Sequence, residues 1–131
     1  MDCIFCKIVK GDIESYKIYE DEDFLVFLDA FPFVKGQTLV IPKKHIAPFL
    51  FDMDDEMYSK LMLVAKKMVV AVNKSIKPLK TGILIEGLQL DHIHIKIFPL
   101  DKKGFKVIIG EQIKFSDEEF KKIAEEIKNN L

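Results

Sequence analysis

The sequence predicts an α+β domain: a mainly antiparallel sheet of about five strands, one long central helix and a second helix at the C-terminus. Three observations lead there. Segments with a two-residue apolar period come mostly in neighbouring pairs joined by short acidic or glycine-containing links, which suits hairpins better than strict βα alternation. Between the pairs, one stretch changes to helical period. A capping signature then opens a last amphipathic segment. No internal repeat, low-complexity tract or linker divides the 131 residues, so residues 1–131 read as a single domain.

Taken in order, "YKIYEDEDFLVFLDA" offers two short strands, roughly 16–20 and 23–29, joined by an acidic turn. "GQTLVIP" follows as a third. In "FDMDDEMYSKLMLVAKKMVVAVNKSIK", Met57, Leu61, Val64, Ala65, Met68 and Val72 recur at helical spacing, with Asp52 as the expected N-cap and Pro78 just past the end. "TGILIEG" and "DHIHIKIFP" are two more strands connected by "GLQL", and "GFKVII" reads as a further short strand. "SDEEFKKIAEEIKNNL" carries a capping box at Ser116 and Glu119, with Phe120, Ile123, Ala124 and Ile127 on its apolar face.

Composition narrows the function classes. A formal net charge of −1 gives no electrostatic footprint for duplex nucleic acid. The basic residues are all lysine, so a phosphate must be met by ammonium, imidazole or backbone N–H and not by a guanidinium fork. Apolar runs fall far short of the ~20 residues that span a bilayer. No charged n-region followed by an apolar h-region opens the chain. These features predict a soluble protein without a membrane partner. Cys3 and Cys6 are too close to staple a fold, which points to a reducing compartment, the cytoplasm.

The chemistry gathers in "DHIHIKIFP". Alternation puts His92, His94 and Lys96 on one strand face, about 6.6 Å apart, and Ile93, Ile95 and Ile97 on the other. Histidines of this kind are commonly hydrogen-bonded core or surface residues. In a chain with only three, the pair could also bind one metal, or divide into one ligand and one catalytic base or nucleophile. Cys3 and Cys6 supply two thiolates, and His45 and His92 could complete a tetrahedral Cys2His2 zinc site if the fold assembles it. A redox pair, although no βαβ unit follows, and two unligated cysteines are the other readings of CxxC.

The stretch "CIFCKIVKGDIESYKIYEDEDFLVFLDAFPFVKGQTLVIPKKHI" resembles, almost without gaps, the N-terminal half of histidine triad (HIT) proteins. "HIHIKIFP" resembles their signature, H-x-H-x-H followed by an apolar pair and proline, in a variant form H-x-H-x-K. The likeness spans about positions 3–50 and 82–99. It implies a HIT-like α+β fold, a homodimer and a purine nucleotide (AMP-like) ligand. It also implies cleavage at the α-phosphate through a nucleotidyl–histidine intermediate on the middle histidine, here His94. The same resemblance implies a structural zinc on Cys3, Cys6, His45 and His92, a ribose contact at Asp29, and a base pocket of Phe5, Ile8, Phe27 and Leu39.

The departures lie near the phosphate. The third signature position is Lys96, a second catalytic candidate that can stabilise negative charge but donates a proton less readily than imidazole at neutral pH. Gln37 stands where the family has an extra histidine. Glu86 stands where asparagine or glutamine is common; it would repel phosphate unless it pairs with Lys96 or binds a cation. Gln89 is the candidate substitute in the shortened loop "GLQL". Two functions are therefore expected: a hydrolase or transferase acting on purine nucleoside phosphoramidates or dinucleoside polyphosphates, or a catalytically weak nucleotide-binding regulatory module on the same scaffold.

Overall fold

The computed structural model describes residues 2–46, 49–101 and 113–131. The elements in chain order are α1 (Ile4–Lys10), β1 (Lys17–Glu20), β2 (Phe24–Leu28), β3 (Thr38–Pro42), a 3-10 turn (Leu50–Asp52), α2 (Asp55–Ile76), β4 (Lys80–Leu84), β5 (Ile95–Leu100) and α3 (Asp117–Lys128). The five strands form one sheet in the order β1-β2-β3-β5-β4, and every pairing is antiparallel. This is the α+β architecture the alternation predicts. The expected strand "GFKVII" lies outside the described residues.

Period two divides the sheet into two different faces. Phe24, Val26, Val40, Ile95 and Ile97 point toward α2 and pack with its Leu61, Ala65 and Met68. The helix thus buries the stripe its spacing predicts, and truncating Leu61, which has no exposed surface, to alanine would cost roughly 2–5 kcal/mol. The intervening residues Leu25, Phe27, Leu39 and Ile41 face the other way and pack with Phe5 of α1. β5 lies between β3 and β4, so Lys96 pairs with Leu39 on one side and Leu84 on the other. The row that begins at His92 therefore lies deep in the sheet, on the α1 face.

Two boundaries differ from the sequence reading. The N-cap of α2 is Asp54, whose side chain accepts from Met57 N, and not Asp52. Asp52 is taken up by the 3-10 turn, which inserts the buried Leu50 under the helix and moves the first helical turn onward. β5 begins at Ile95, so His92 and His94 precede the paired strand, although their alternation persists. Beyond α2, Lys77 closes the helix in left-handed conformation (φ 53°) just before Pro78, as expected.

Gly36, at φ 82°, lets the β2–β3 loop approach the end of α2: a Cβ there would stand 2.8 Å from the Ile76 side chain. Ser116 caps α3 as read, its Oγ accepting from Glu119 N at 3.1 Å, and the Glu119 carboxylate accepts from the Ser116 hydroxyl. None of the residues of α3 is buried, and Phe120 and Ile127 are 57% and 62% exposed.

Candidate functional site

The α1 face carries two adjoining centres. The first is built around α1, a seven-residue helix capped by a cysteine: Cys3 Sγ accepts from Cys6 N at 3.4 Å. This turn aims both sulfurs at the histidines. Cys6 Sγ lies 3.3 Å from His45 Nδ1 and 3.6 Å from His92 Nδ1, and Cys3 Sγ lies 3.4 Å from His92 Nδ1. All four ligand atoms fall within 4.8 Å of one another. Tetrahedral bonds of ordinary metal–sulfur and metal–nitrogen length would place such atoms about 3.5 Å apart.

His92 Nε2 is 2.8 Å from Pro42 O. A carbonyl only accepts, so the proton is on Nε2 and the Nδ1 lone pair faces the sulfurs. Burial pushes the Cys6 thiol up and the His92 imidazole down, each toward its neutral form. Two thiolates would need a cation to be stable there, and the donor set can hold a metal ion.

The second centre begins two residues on. His94, also buried, has the opposite nitrogen engaged: its Nδ1 is 2.8 Å from His92 O, which puts the proton on Nδ1 and the lone pair on Nε2. Phe5 stands edge-on to both rings, 5.6 Å from His92 and 5.2 Å from His94 between centroids, and fixes their orientation.

His94 and Lys96 line a cavity of about 410 Å³, within the size range of nucleotide-sized ligands. Phe5, Ile8, Phe27 and Leu39 line its apolar part, and Asp29, Gln37 and Gln89 also border it. Every residue predicted to contact substrate lines this one cavity except Glu86. That residue lines a narrow cleft with Phe49, Phe51 and Ile85, which His94 also borders.

Gln37 and Asp29 have partners that the sequence did not specify. Gln37 is 2% exposed; its Nε2 donates to Asp29 Oδ2 at 2.7 Å and its Oε1 accepts from Phe33 N at 2.8 Å. It orients the Asp29 carboxylate, and both ends of its amide are engaged within the loop. Asp29 Oδ1 accepts from Phe31 N, so the carboxylate is held from two sides.

Glu86 is anchored likewise. Its Oε2 accepts from Leu88 N at 2.7 Å, and its Oε1 accepts from Lys96 Nζ at 2.8 Å and lies 3.9 Å from His94 Nε2. The Lys96 ammonium, then the Leu88 N–H, hold its carboxyl below the usual range. The ion pair is the condition under which Glu86 would not simply repel a phosphate.

Sequence reasoning missed Phe31 and Phe33, which rim the cavity at 85% and 75% exposure. The available signal was "AFPFVKG", two phenylalanines flanking a proline in a loop where no core position exists.

With this geometry in view, the HIT-domain family model matches residues 10–103, which include His45, His92 and His94. The chain belongs to the HIT family. Its similarity to an adenosine 5'-monophosphoramidase of Schizosaccharomyces pombe is 36% identity over 133 residues, covering 100% of this chain and 99% of the relative. A HIT family structure from Bacillus subtilis superposes with a TM-score of 0.82 at 34% identity, covering 100% and 98% of the two chains. A histidine triad nucleotide-binding protein from Candida albicans gives 0.76 at 28% identity, covering 98% and 96%. The HIT fold and the sheet order described above agree.

Proposed function

We propose that this HIT protein is a nucleotide hydrolase or transferase acting at the α-phosphate of purine nucleoside phosphoramidates or dinucleoside polyphosphates, with His94 as nucleophile. The observation that carries the reading is the tautomer of His94: a backbone carbonyl takes the Nδ1 proton, and the Nε2 lone pair remains beside the cavity that Asp29 and Lys96 also line. The names of the fission yeast and Candida albicans relatives support the same class.

In this reading Phe5, Ile8, Phe27 and Leu39 flank the base, and Asp29 accepts from the ribose hydroxyls. Gln37 orients Asp29, and Gln89 borders the bound nucleotide. Nε2 attacks phosphorus, and the new P–N bond forms as the bond to the leaving group breaks. With an amine leaving group, the electron pair departs on its nitrogen, which takes a proton from the Lys96 ammonium. Water then attacks phosphorus and gives a proton to the Lys96 amine, and the Nε2–phosphorus pair returns to the ring.

Zinc is the ion that best suits Cys3, Cys6, His45 and His92; when bound it supplies a cross-link between α1, the segment after β3 and the segment before β5. The protein is proposed to act as a homodimer, to which the uncovered apolar face of α3 is suited. Two free cysteines suit the reducing cytoplasm, and among the described residues no helix is long and apolar enough to cross a membrane.

The test is turnover of an adenosine phosphoramidate and of diadenosine tetraphosphate by wild type beside His94→Ala. Loss of turnover on at least one substrate in the variant is expected; equal turnover removes His94 from the mechanism. The ion pair that occupies Lys96 favours the second reading, a nucleotide-binding regulatory module. Tight AMP binding without turnover by the wild type would select it.

A further inference from the structure

Among the described residues, Lys96 is the only basic side chain lining the large cavity, and its charge is already taken. Its Nζ donates to Glu86 Oε1 at 2.8 Å, and the same oxygen lies 3.9 Å from His94 Nε2. Consider a phosphate whose phosphorus faces Nε2 at an attacking distance of about 3–3.5 Å. Its non-bridging oxygens would stand roughly 3.5 Å from that nitrogen, and one that accepts from the ammonium would stand about 2.8 Å from Nζ. The Glu86 carboxylate oxygen meets both conditions closely. It stands about where a phosphate oxygen would have to stand.

The carboxylate does not depend on Lys96 for its place. Its other oxygen accepts from Leu88 N at 2.7 Å, so the backbone of the following turn holds it as well. Both side chains of the pair are only 22% exposed, so an ammonium parted from Glu86 needs another anion.

Resting on the placement of the α-phosphate in the reading above, we infer that Glu86 is an internal stand-in for that phosphate. It neutralises Lys96 until a nucleotide displaces it, and so makes phosphate recognition depend on the nucleoside.

The reason is an exchange of partners. An anion without a nucleoside replaces one ion pair by another, and it does so where the charged lining residues Asp29, Glu86 and Lys96 sum to one negative charge. It gains little. A nucleotide adds burial of its base against Phe5, Ile8, Phe27 and Leu39, and that energy drives Oε1 off the ammonium. Leu88 N–H continues to hold the displaced carboxylate, so the exchange leaves neither charge without a partner.

The test is calorimetric titration of the full chain, wild type beside Glu86→Gln, with adenosine, ribose 5-phosphate and AMP. Glutamine keeps the size and the contact with Leu88 N–H and removes the charge. The variant should bind AMP and ribose 5-phosphate roughly tenfold more tightly, and adenosine within about twofold of wild type, which also reports that it is folded. Unchanged or weaker binding of AMP by the variant overturns the inference, since Glu86 would then be a support for Lys96. A crystal structure of the wild type with AMP decides the matter without any variant. Lys96 Nζ should have moved to a phosphate oxygen and out of hydrogen-bond reach of Glu86; an ammonium bridging carboxylate and phosphate overturns the inference. A wild type that makes this exchange yet turns over no substrate removes only His94 as nucleophile. Failure of both proteins to bind AMP overturns the inference and the nucleotide reading together.

Discussion

His92 and His94 stand two residues apart on one face of the segment that leads into β5, yet the structure gives their rings opposite orientation. Each gives one ring proton to a backbone carbonyl, but not from the same nitrogen: His92 uses Nε2 toward Pro42, and His94 uses Nδ1 toward His92 itself. The free lone pairs therefore point to different places. One meets two cysteine sulfurs and the other opens beside a cavity. Residue type and spacing place both rings on the correct face. The carbonyl each ring finds decides which nitrogen keeps a lone pair and where it points, and on the proposed function that makes one a ligand and the other a nucleophile.

That division can be broken from either side. The largest effect is expected from His94→Ala, which should lower turnover of an adenosine phosphoramidate by on the order of 10³-fold or more and leave metal content and melting temperature nearly unchanged. Loss of metal in this variant would mean that the two rings share one ion. Next, Cys6→Ser should release the ion, expected near one zinc per chain by elemental analysis, and lower the melting temperature by about 10 °C. Wild type stripped by a chelator should do the same. A metal-free protein melting with the loaded one would contradict a structural role.

Lys96→Ala should lower kcat by roughly 10- to 100-fold with a smaller change in nucleoside binding. The reverse pattern would make the ammonium a ground-state contact. The smallest effect is a pH dependence. Lys96 holds the Glu86 carboxyl below its ordinary 4.5, so as acid is added the unfolded chain takes up this proton before the folded one does. The stability due to the pair is fully present above about 4.5 and is lost as pH falls further. In urea unfolding, wild type and Glu86→Gln should differ near neutrality and converge in acid. A constant gap down to about pH 3 would show that the pair contributes nothing titratable.

Most of the fold was readable because the sheet obeys one rule. Period two in "FLVFL", "TLVIP" and "HIHIKIF" assigns each side chain to the α2 face or the α1 face, and the buried clusters follow that assignment. What escaped was set by local competition. Asp52 and Asp54 are equally good caps on paper, and the 3-10 turn around the buried Leu50 decides between them. The helix α1 is too short to show a period, and its cap is a cysteine, a residue with little capping signal. Gln37 reads as a phosphate contact by alignment, but the loop from Asp29 folds back so that its amide meets Asp29 and Phe33. Phe31, Phe33, Phe49 and Phe51 escaped because an apolar side chain in a loop has no periodic partner to mark it.

Phe5 belongs to both centres at once. Its ring touches His92 and His94, lines the large cavity, and is held out over the sheet by a helix of seven residues that would not persist alone in water. The two cysteines at the start of that helix are thus the hinge pins of a wall, and on the proposed function loading of the ion would come before recognition of substrate. If the proposed ion is bound there, a chain starved of it would keep its sheet and His94 while losing the wall that shapes the cavity.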